Sequence, residues 1–311
     1  MSDKIATRQA YGEALVSLGE KNPDIVVLDA DLSKSTMTAS FAKKFSDRFF
    51  NMGIAEQNLF GTAAGLAAAG KTVFASTFAM FAAGRAFEII RNAICYPVLN
   101  VKVCATHAGI TVGEDGGSHQ AIEDIALMRA IPNMIVLNPS DAVSAKKAVY
   151  AAAEYKGPVY VRLGRVAVPV IYEDDSLNYE IGKGICIKEG SDVTIIATGV
   201  MVHEALTAAK TLEETGINAR VIDMHTIKPI DEDIIIKAAS ETGAIVTAEE
   251  HNIIGGLGSA VAEVLAKNYP AKMKMVGILD TFGESGKPDE LMKKYLITAE
   301  EIVKAVNEII K

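Results

Sequence analysis

Asn51-Met52-Gly53-Ile54-Ala55-Glu56-Gln57-Asn58-Leu59-Phe60 sets one carboxylate, Glu56, at the entrance to an apolar helix that continues to Ala69. A short β-branched run lies on each side, Ile25-Val26-Val27-Leu28 before it and Thr72-Val73-Phe74-Ala75 after it. Strand, apolar helix and strand in this order read as part of a parallel sheet covered by helices. A carboxylate entering an apolar environment must be paired or held protonated, because desolvation disfavours its charged form. Glu56 is therefore a candidate for proton chemistry.

The alternation continues outward. Leu99-Asn100-Val101-Lys102-Val103, Met134-Ile135-Val136-Leu137 and Val159-Tyr160-Val161-Arg162 read as further strands. Residues 140–155 read as a helix capped by Ser140 or Asp141. Pro169 and the acidic Glu173-Asp174-Asp175 then break the pattern, which predicts an interdomain linker over 169–188. A second α/β unit follows, with strands at Val193–Ala197, Ala219–Ile222 and Ala244–Thr247 and helices at Val202–Thr215 and Thr298–Ile310. The fold class expected is α/β, with two doubly wound domains at 1–168 and 189–311.

With 311 residues, half of them hydrophobic and 23% charged, the chain can build packed cores for two domains. A net charge of −8 argues against a general nucleic-acid binder. Basic residues exceed acidic ones by two in residues 1–170, and acidic ones exceed basic ones by ten beyond them. The first half thus suits anionic ligands better, although a solubilising acidic surface explains the second half equally well. Cys95, Cys104 and Cys186 lack metal or redox spacing, and Met1-Ser2-Asp3-Lys4 lacks a signal core. No apolar run is long enough for a bilayer, so the expectation is a cytoplasmic protein without membrane contact.

A second constellation runs from Ala105 to Gln120 and holds His107, Glu114, Asp115 and His119 among four glycines. It follows a strand, where ligand crevices of open parallel sheets lie. Two histidines separated by eleven residues on a glycine-rich loop match no common metal spacing, so no metal site is expected. The residues favour proton transfer and hydroxyl recognition, against the plainer reading of a polar surface loop.

Gly53-Ile54-Ala55-Glu56-Gln57, Ser76-Thr77-Phe78-Ala79-Met80-Phe81, Ala105-Thr106-His107 and Gly113-Glu114-Asp115-Gly116-Gly117-Ser118-His119-Gln120 together resemble the transketolases in order and spacing. Thr226-Ile227-Lys228-Pro229-Ile230-Asp231 resembles that family's C-terminal domain. Transketolases also carry an N-terminal domain whose Gly-Asp-Gly motif and downstream Asn bind the metal and the cofactor diphosphate. That motif does not occur here, so the resemblance is to a C-terminal half made as a separate subunit.

The resemblance implies roles residue by residue. Glu56 matches the glutamate that hydrogen-bonds the aminopyrimidine ring of thiamine diphosphate, and Phe78 and Phe81 match the aromatic wall, with Phe78 foremost in stacking. Some members carry another aromatic where Gly84 stands. His107 and His119 match histidines near the reacting carbons, and Asp115 the aspartate that reads a sugar hydroxyl. Arg8, Ser35 and Arg165 match the sugar-phosphate ligands, with Arg162 as the alternative in a shifted register, and Asp31 matches an acid near the channel.

His225, His251 and the helix-opening Gly255-Gly256-Leu257-Gly258-Ser259 read as close packing in preference to an anion site. The implied reaction is transfer of a two-carbon ketol unit from a ketose phosphate, such as xylulose 5-phosphate, to an aldose phosphate, such as ribose 5-phosphate. The cofactor would be shared with an N-terminal partner subunit that holds most of the Mg2+ or Ca2+ contacts. Self-association through a dimer core and a heterotetramer are expected. The rivals are a 1-deoxyxylulose-5-phosphate synthase, the β subunit of a 2-oxo acid dehydrogenase and a non-catalytic scaffold.

Overall fold

The computed structural model describes residues 4–173 and 177–311, so Asp174 and Asp175 of the acidic patch lie outside the described residues. Up to residue 169 the strands are β1 (Lys4–Ala6), β2 (Ile25–Asp29), β3 (Phe49–Asn51), β4 (Thr72–Phe78), β5 (Val101–Thr106), β6 (Ile135–Leu137), β7 (Val159–Arg162) and β8 (Ala167–Pro169). Beyond it they are β9 (Ile185–Lys188), β10 (Val193–Ala197), β11 (Ala219–Asp223), β12 (Thr226–Lys228), β13 (Ala244–Asn252) and β14 (Lys272–Ile278).

The larger sheet has the order β12-β6-β7-β5-β4-β2-β3. All its pairings are parallel except that of β12 with β6. Strands β2, β4, β5 and β7 are buried along their whole length, which is why they read as continuous apolar runs. The second sheet, β14-β13-β10-β11-β9, is parallel except for the β9–β11 pair. β1 and β8 form a separate antiparallel pair.

The structure adds two features to the expected division. Strand β9, within the stretch expected as linker, is an edge of the second sheet. Strand β12, from the second unit, is an edge of the first sheet, so the two units are stitched through their backbones. A single buried cluster continues from Leu59 and Val103 through Met134 and Ile227 to Ile245 and Leu257.

Helix Ala142–Glu154 starts at a capping box, in which the Asp141 side chain accepts from Ser144 N. It packs with Thr7–Lys21 on one face of the first sheet, around Leu15, Phe74 and Val161. Helix Glu56–Ala68 covers the other face with Leu59, Phe60, Ala63 and Ala64. None of the described helices is long and apolar enough to cross a membrane.

Candidate active site

Five neighbouring strands of the larger sheet supply most of the candidate residues beyond or at their carboxyl ends. β3 leads to Glu56, β2 to Asp31 and Ser35, β4 to Phe78 and Phe81, β5 to His107, Asp115 and His119, and β7 to Arg165. This is where an open parallel sheet places its ligand crevice.

Glu56 is the first residue of its helix and 2% exposed. Its position favours a carboxylate, because the first helical N–H groups carry partial positive charge. Arg85 Nη1 donates to both oxygens, at 3.0 Å to Oε1 and 2.9 Å to Oε2. Arg85 itself is about half exposed. It ends the π-helical stretch Phe81–Arg85, and its guanidinium lies 4.7 Å from the centre of the Phe81 ring. Such wide turns recur at functional sites. Gly84, the position at which the resemblance leads one to look for a further aromatic, is exposed, and the neighbouring Arg85 lies over the Phe81 ring.

From Phe81 a chain of rings continues inward. Phe78 lies 5.9 Å from Phe81, and the His107 imidazole stacks on Phe78 at 3.9 Å. His119 meets Phe81 edge-on at 5.4 Å and Phe78 at 6.3 Å. Phe78 is buried with one face engaged by His107, whereas Phe81 is only partly buried. In the free chain Phe81 is therefore the more accessible ring of the wall.

His107 is held at φ +57°, a left-handed conformation that is uncommon outside glycine. Its Nδ1 lies 3.0 Å from Thr106 Oγ1. Burial first, then Arg8, Arg165 and His119, push its pKa down to about 3. His107 is thus a neutral imidazole at physiological pH, able to donate and accept hydrogen bonds without carrying charge.

Arg8 donates through Nη1 to Ser35 O at 2.7 Å and through Nε to Arg165 O at 3.3 Å. Thr7 Oγ1 accepts from Gly164 N at 2.8 Å, tying the helix start to the end of β7. Arg165 Nη1 donates to Val112 O at 2.5 Å and to Glu114 Oε2 at 2.9 Å. Burial and then the Arg165 charge lower the Arg8 pKa. Two guanidiniums that feel each other's charge would both gain from an anion between them.

Arg162, the alternative ligand, is committed elsewhere. It is buried, with Nε 2.8 Å and Nη2 3.1 Å from the two oxygens of Asp124. It also donates to Ala121 O and Glu250 O. Arg165, partly exposed and bonded to Val112 and Glu114, is the one left beside Arg8 in the candidate site.

Asp31 and Asp115 are exposed. Asp31 has φ +64° and exchanges two bonds with Asn51, its N donating to Asn51 Oδ1 at 3.0 Å and its Oδ1 accepting from Nδ2 at 2.9 Å. Asn51 Oδ1 also accepts from Gly53 N, which couples the Asp31 turn to the stretch leading into Glu56. Asp115 ends the short helical stretch Ile110–Asp115, which is kinked at Gly113, on the loop that carries both histidines.

The glycine cluster at the start of helix Leu257–Asn268 is filled from within. Glu249 accepts there from Leu257 N at 2.7 Å and Gly258 N at 2.8 Å. His225 is buried against Tyr179 at 4.0 Å, and burial holds it and His251 near a pKa of about 4. Sequence reasoning missed Arg85, whose partner is 29 residues away, and Glu250, whose Oε1 accepts from Thr111 N at 2.6 Å. A carboxylate at the end of an apolar strand run was the available signal for Glu250.

The model of the transketolase pyrimidine-binding domain matches residues 3–170, and that of the transketolase C-terminal domain matches residues 182–302. A Methanocaldococcus jannaschii protein, provisionally named a transketolase C-terminal section, is 58% identical over 98% of this chain and 96% of its own. One subunit of the apulose-4-phosphate transketolase of Phocaeicola vulgatus is 39% identical over 100% of this chain and 99% of its own. Among solved structures, a split-gene transketolase described as an inactive β4 tetramer superposes with a TM-score of 0.93. It is 60% identical and covered over 98% of both chains.

Proposed function

The chain belongs to the transketolase family, and we propose that it is the C-terminal subunit of a split transketolase. In this reading it transfers a two-carbon ketol unit between sugar phosphates once an N-terminal subunit completes the site. Membership of a family with a pyrimidine-binding domain implies use of thiamine diphosphate. The observation that carries the reading is Glu56, a nearly inaccessible carboxylate joined through Arg85 to the wall formed by Phe81 and Phe78.

The residues fit the pyrimidine end of the cofactor. A flat heteroaromatic ring suits the Phe81–Phe78 surface, and among the described residues the Glu56 carboxylate is bonded by the half-exposed Arg85, which it could give up for a ring nitrogen. Bound there, the cofactor supplies a carbon nucleophile and an electron sink for cleavage beside the sugar carbonyl. Glu56 would hold the ring tautomer through a hydrogen bond strengthened by burial. His107 and His119 would position and exchange protons with the sugar hydroxyls, and Asp115 would accept a hydroxyl hydrogen bond. Arg8, Ser35 and Arg165 would anchor the terminal phosphate, with Asp31 near the channel.

The partner would bring the metal, Mg2+ or Ca2+, with the diphosphate, and two copies of each subunit would form a heterotetramer around a dimer core of this chain. Xylulose 5-phosphate and ribose 5-phosphate are the proposed standard pair. The Phocaeicola relative is named for a different substrate, an apulose phosphate, so the sugar is the part of the reading most open to variation. Reconstitution with the N-terminal subunit and a competition between a ketose phosphate and pyruvate as donor tests the reading. Ketol transfer from the sugar is expected; turnover of pyruvate alone would overturn it in favour of a decarboxylating relative.

A further inference from the structure

We infer that Glu250, in the second domain, is a positioning residue for the loop that carries His107 and Asp115. Its carboxylate lies fully inside the protein and reaches across the domain boundary to accept from Thr111 N at 2.6 Å. The loop is shaped to receive it. Gly109, at φ +83°, has its α-carbon against this carboxylate, and a β-carbon there would overlap Glu250 Cδ and both oxygens. A glycine at this position therefore serves two needs, the left-handed backbone and the space for the acid.

The loop's grip on the second domain continues at its far end. Gln120 Nε2 donates to Glu284 O at 2.9 Å, and Ser285 Oγ donates to Glu114 O at 2.5 Å. Glu250 differs from these contacts in being a buried acid. Desolvation raises its pKa, and Arg162 is the first influence that opposes this. Arg162 also donates to the Glu250 carbonyl while locked onto Asp124, so the acid's main chain is pinned to the end of β7. β7 in turn leads to Arg165. One buried acid thus fixes the loop of the imidazoles relative to the strand that leads to the guanidinium.

A carboxylate with this geometry acts by holding the backbone at Thr111, two residues beyond Gly109 and four beyond the strained His107. Substrate and cofactor would not touch it. Loss of the acceptor frees the loop and should misplace His107 and Asp115 while leaving Glu56, on another element, in place. Small misplacements of reacting groups are costly because catalysis depends on their pre-set geometry.

The test uses the full chain alone and the same chain reconstituted with its N-terminal subunit; only the second arm rests on the function proposed above. In the chain alone, hydrogen exchange of the Thr111 amide should accelerate by about tenfold in Glu250→Ala, as expected for loss of one buried hydrogen bond. Glu250→Gln, whose side-chain oxygen still accepts, should stay near the wild-type rate. Glu250→Asp keeps a carboxyl group but falls short of Thr111, so it should show the same acceleration and serves as the readout if the alanine variant fails to fold.

In the reconstituted enzyme, Glu250→Asp should lower kcat for ketol transfer by about tenfold while exchange of the acidic ring hydrogen of bound thiamine diphosphate stays near wild type. A merely destabilised fold would depress both together. Unchanged Thr111 exchange in the alanine and aspartate variants, or parallel loss of ring exchange and transfer, would overturn the inference. Absence of ketol transfer in the wild type would defeat the functional reading and leave Thr111 exchange to decide the role of Glu250.

Discussion

Arg85 closes over the Glu56 carboxylate from the solvent side, with one nitrogen 3.0 and 2.9 Å from its two oxygens. The acid is inaccessible and its partner is half exposed, so the pair stabilises the free chain yet can open when a ligand competes for Glu56. Arg85→Ala leaves a buried charge without its partner. The chain alone should lose about 1–3 kcal/mol in urea denaturation. An unchanged midpoint would show that the pair contributes nothing.

His107 should be silent in the physiological pH range. Its folded-state pKa, near 3, lies below the ordinary value of 6.5, so unfolded chains take up a proton below pH 6.5 that the folded chain refuses until about pH 3. This histidine therefore withdraws stability as pH falls from 6.5 towards 3, and contributes no pH dependence above that window. NMR of the His107 ring should show no titration between pH 5 and 9. A midpoint near 6.5 would mean that the imidazole is not desolvated as the structure has it.

Arg165 is proposed to serve the phosphate and not the reacting carbons. In the reconstituted enzyme Arg165→Ala should raise KM for phosphorylated sugars by about tenfold or more, and leave unphosphorylated ones nearly unaffected. Equal loss on both kinds of substrate would assign Arg165 a structural role through Val112 and Glu114.

Much of this was legible in the sequence, because buried parallel strands write themselves as continuous β-branched runs and the family motifs are compact. The Val159-Tyr160-Val161-Arg162 strand was read at its observed bounds, and the Glu56 helix within a residue at its end. Other features depend on distant partners. Thr226–Lys228 joins the first sheet because β6 offers it an open edge, which three residues cannot announce. The strand expected to stop at Thr247 continues to Asn252 because Glu249 finds a helix N-terminus and Glu250 finds Thr111 N. Arg162 and Arg165 are alike in sequence; Arg162 is drawn inside by distant partners, Asp124 and the carbonyls of Ala121 and Glu250, which spacing does not reveal.

The chain alone should show no binding of thiamine diphosphate with Mg2+ by calorimetry, because the metal and diphosphate contacts are proposed to come from the partner, and Arg8 and Arg165 to serve the sugar phosphate instead. Binding in the micromolar range would show that this chain holds a diphosphate site of its own.

Glu56→Gln in the reconstituted enzyme tests the central claim most directly. The substitution keeps the size of the side chain and removes its ionisable group, so circular dichroism and assembly should match the wild type. Ketol transfer from xylulose 5-phosphate to ribose 5-phosphate should fall by about a hundredfold or more, the scale of losing a positioned proton-transfer partner. Near-normal turnover would contradict the assignment of Glu56 as the residue that activates the cofactor.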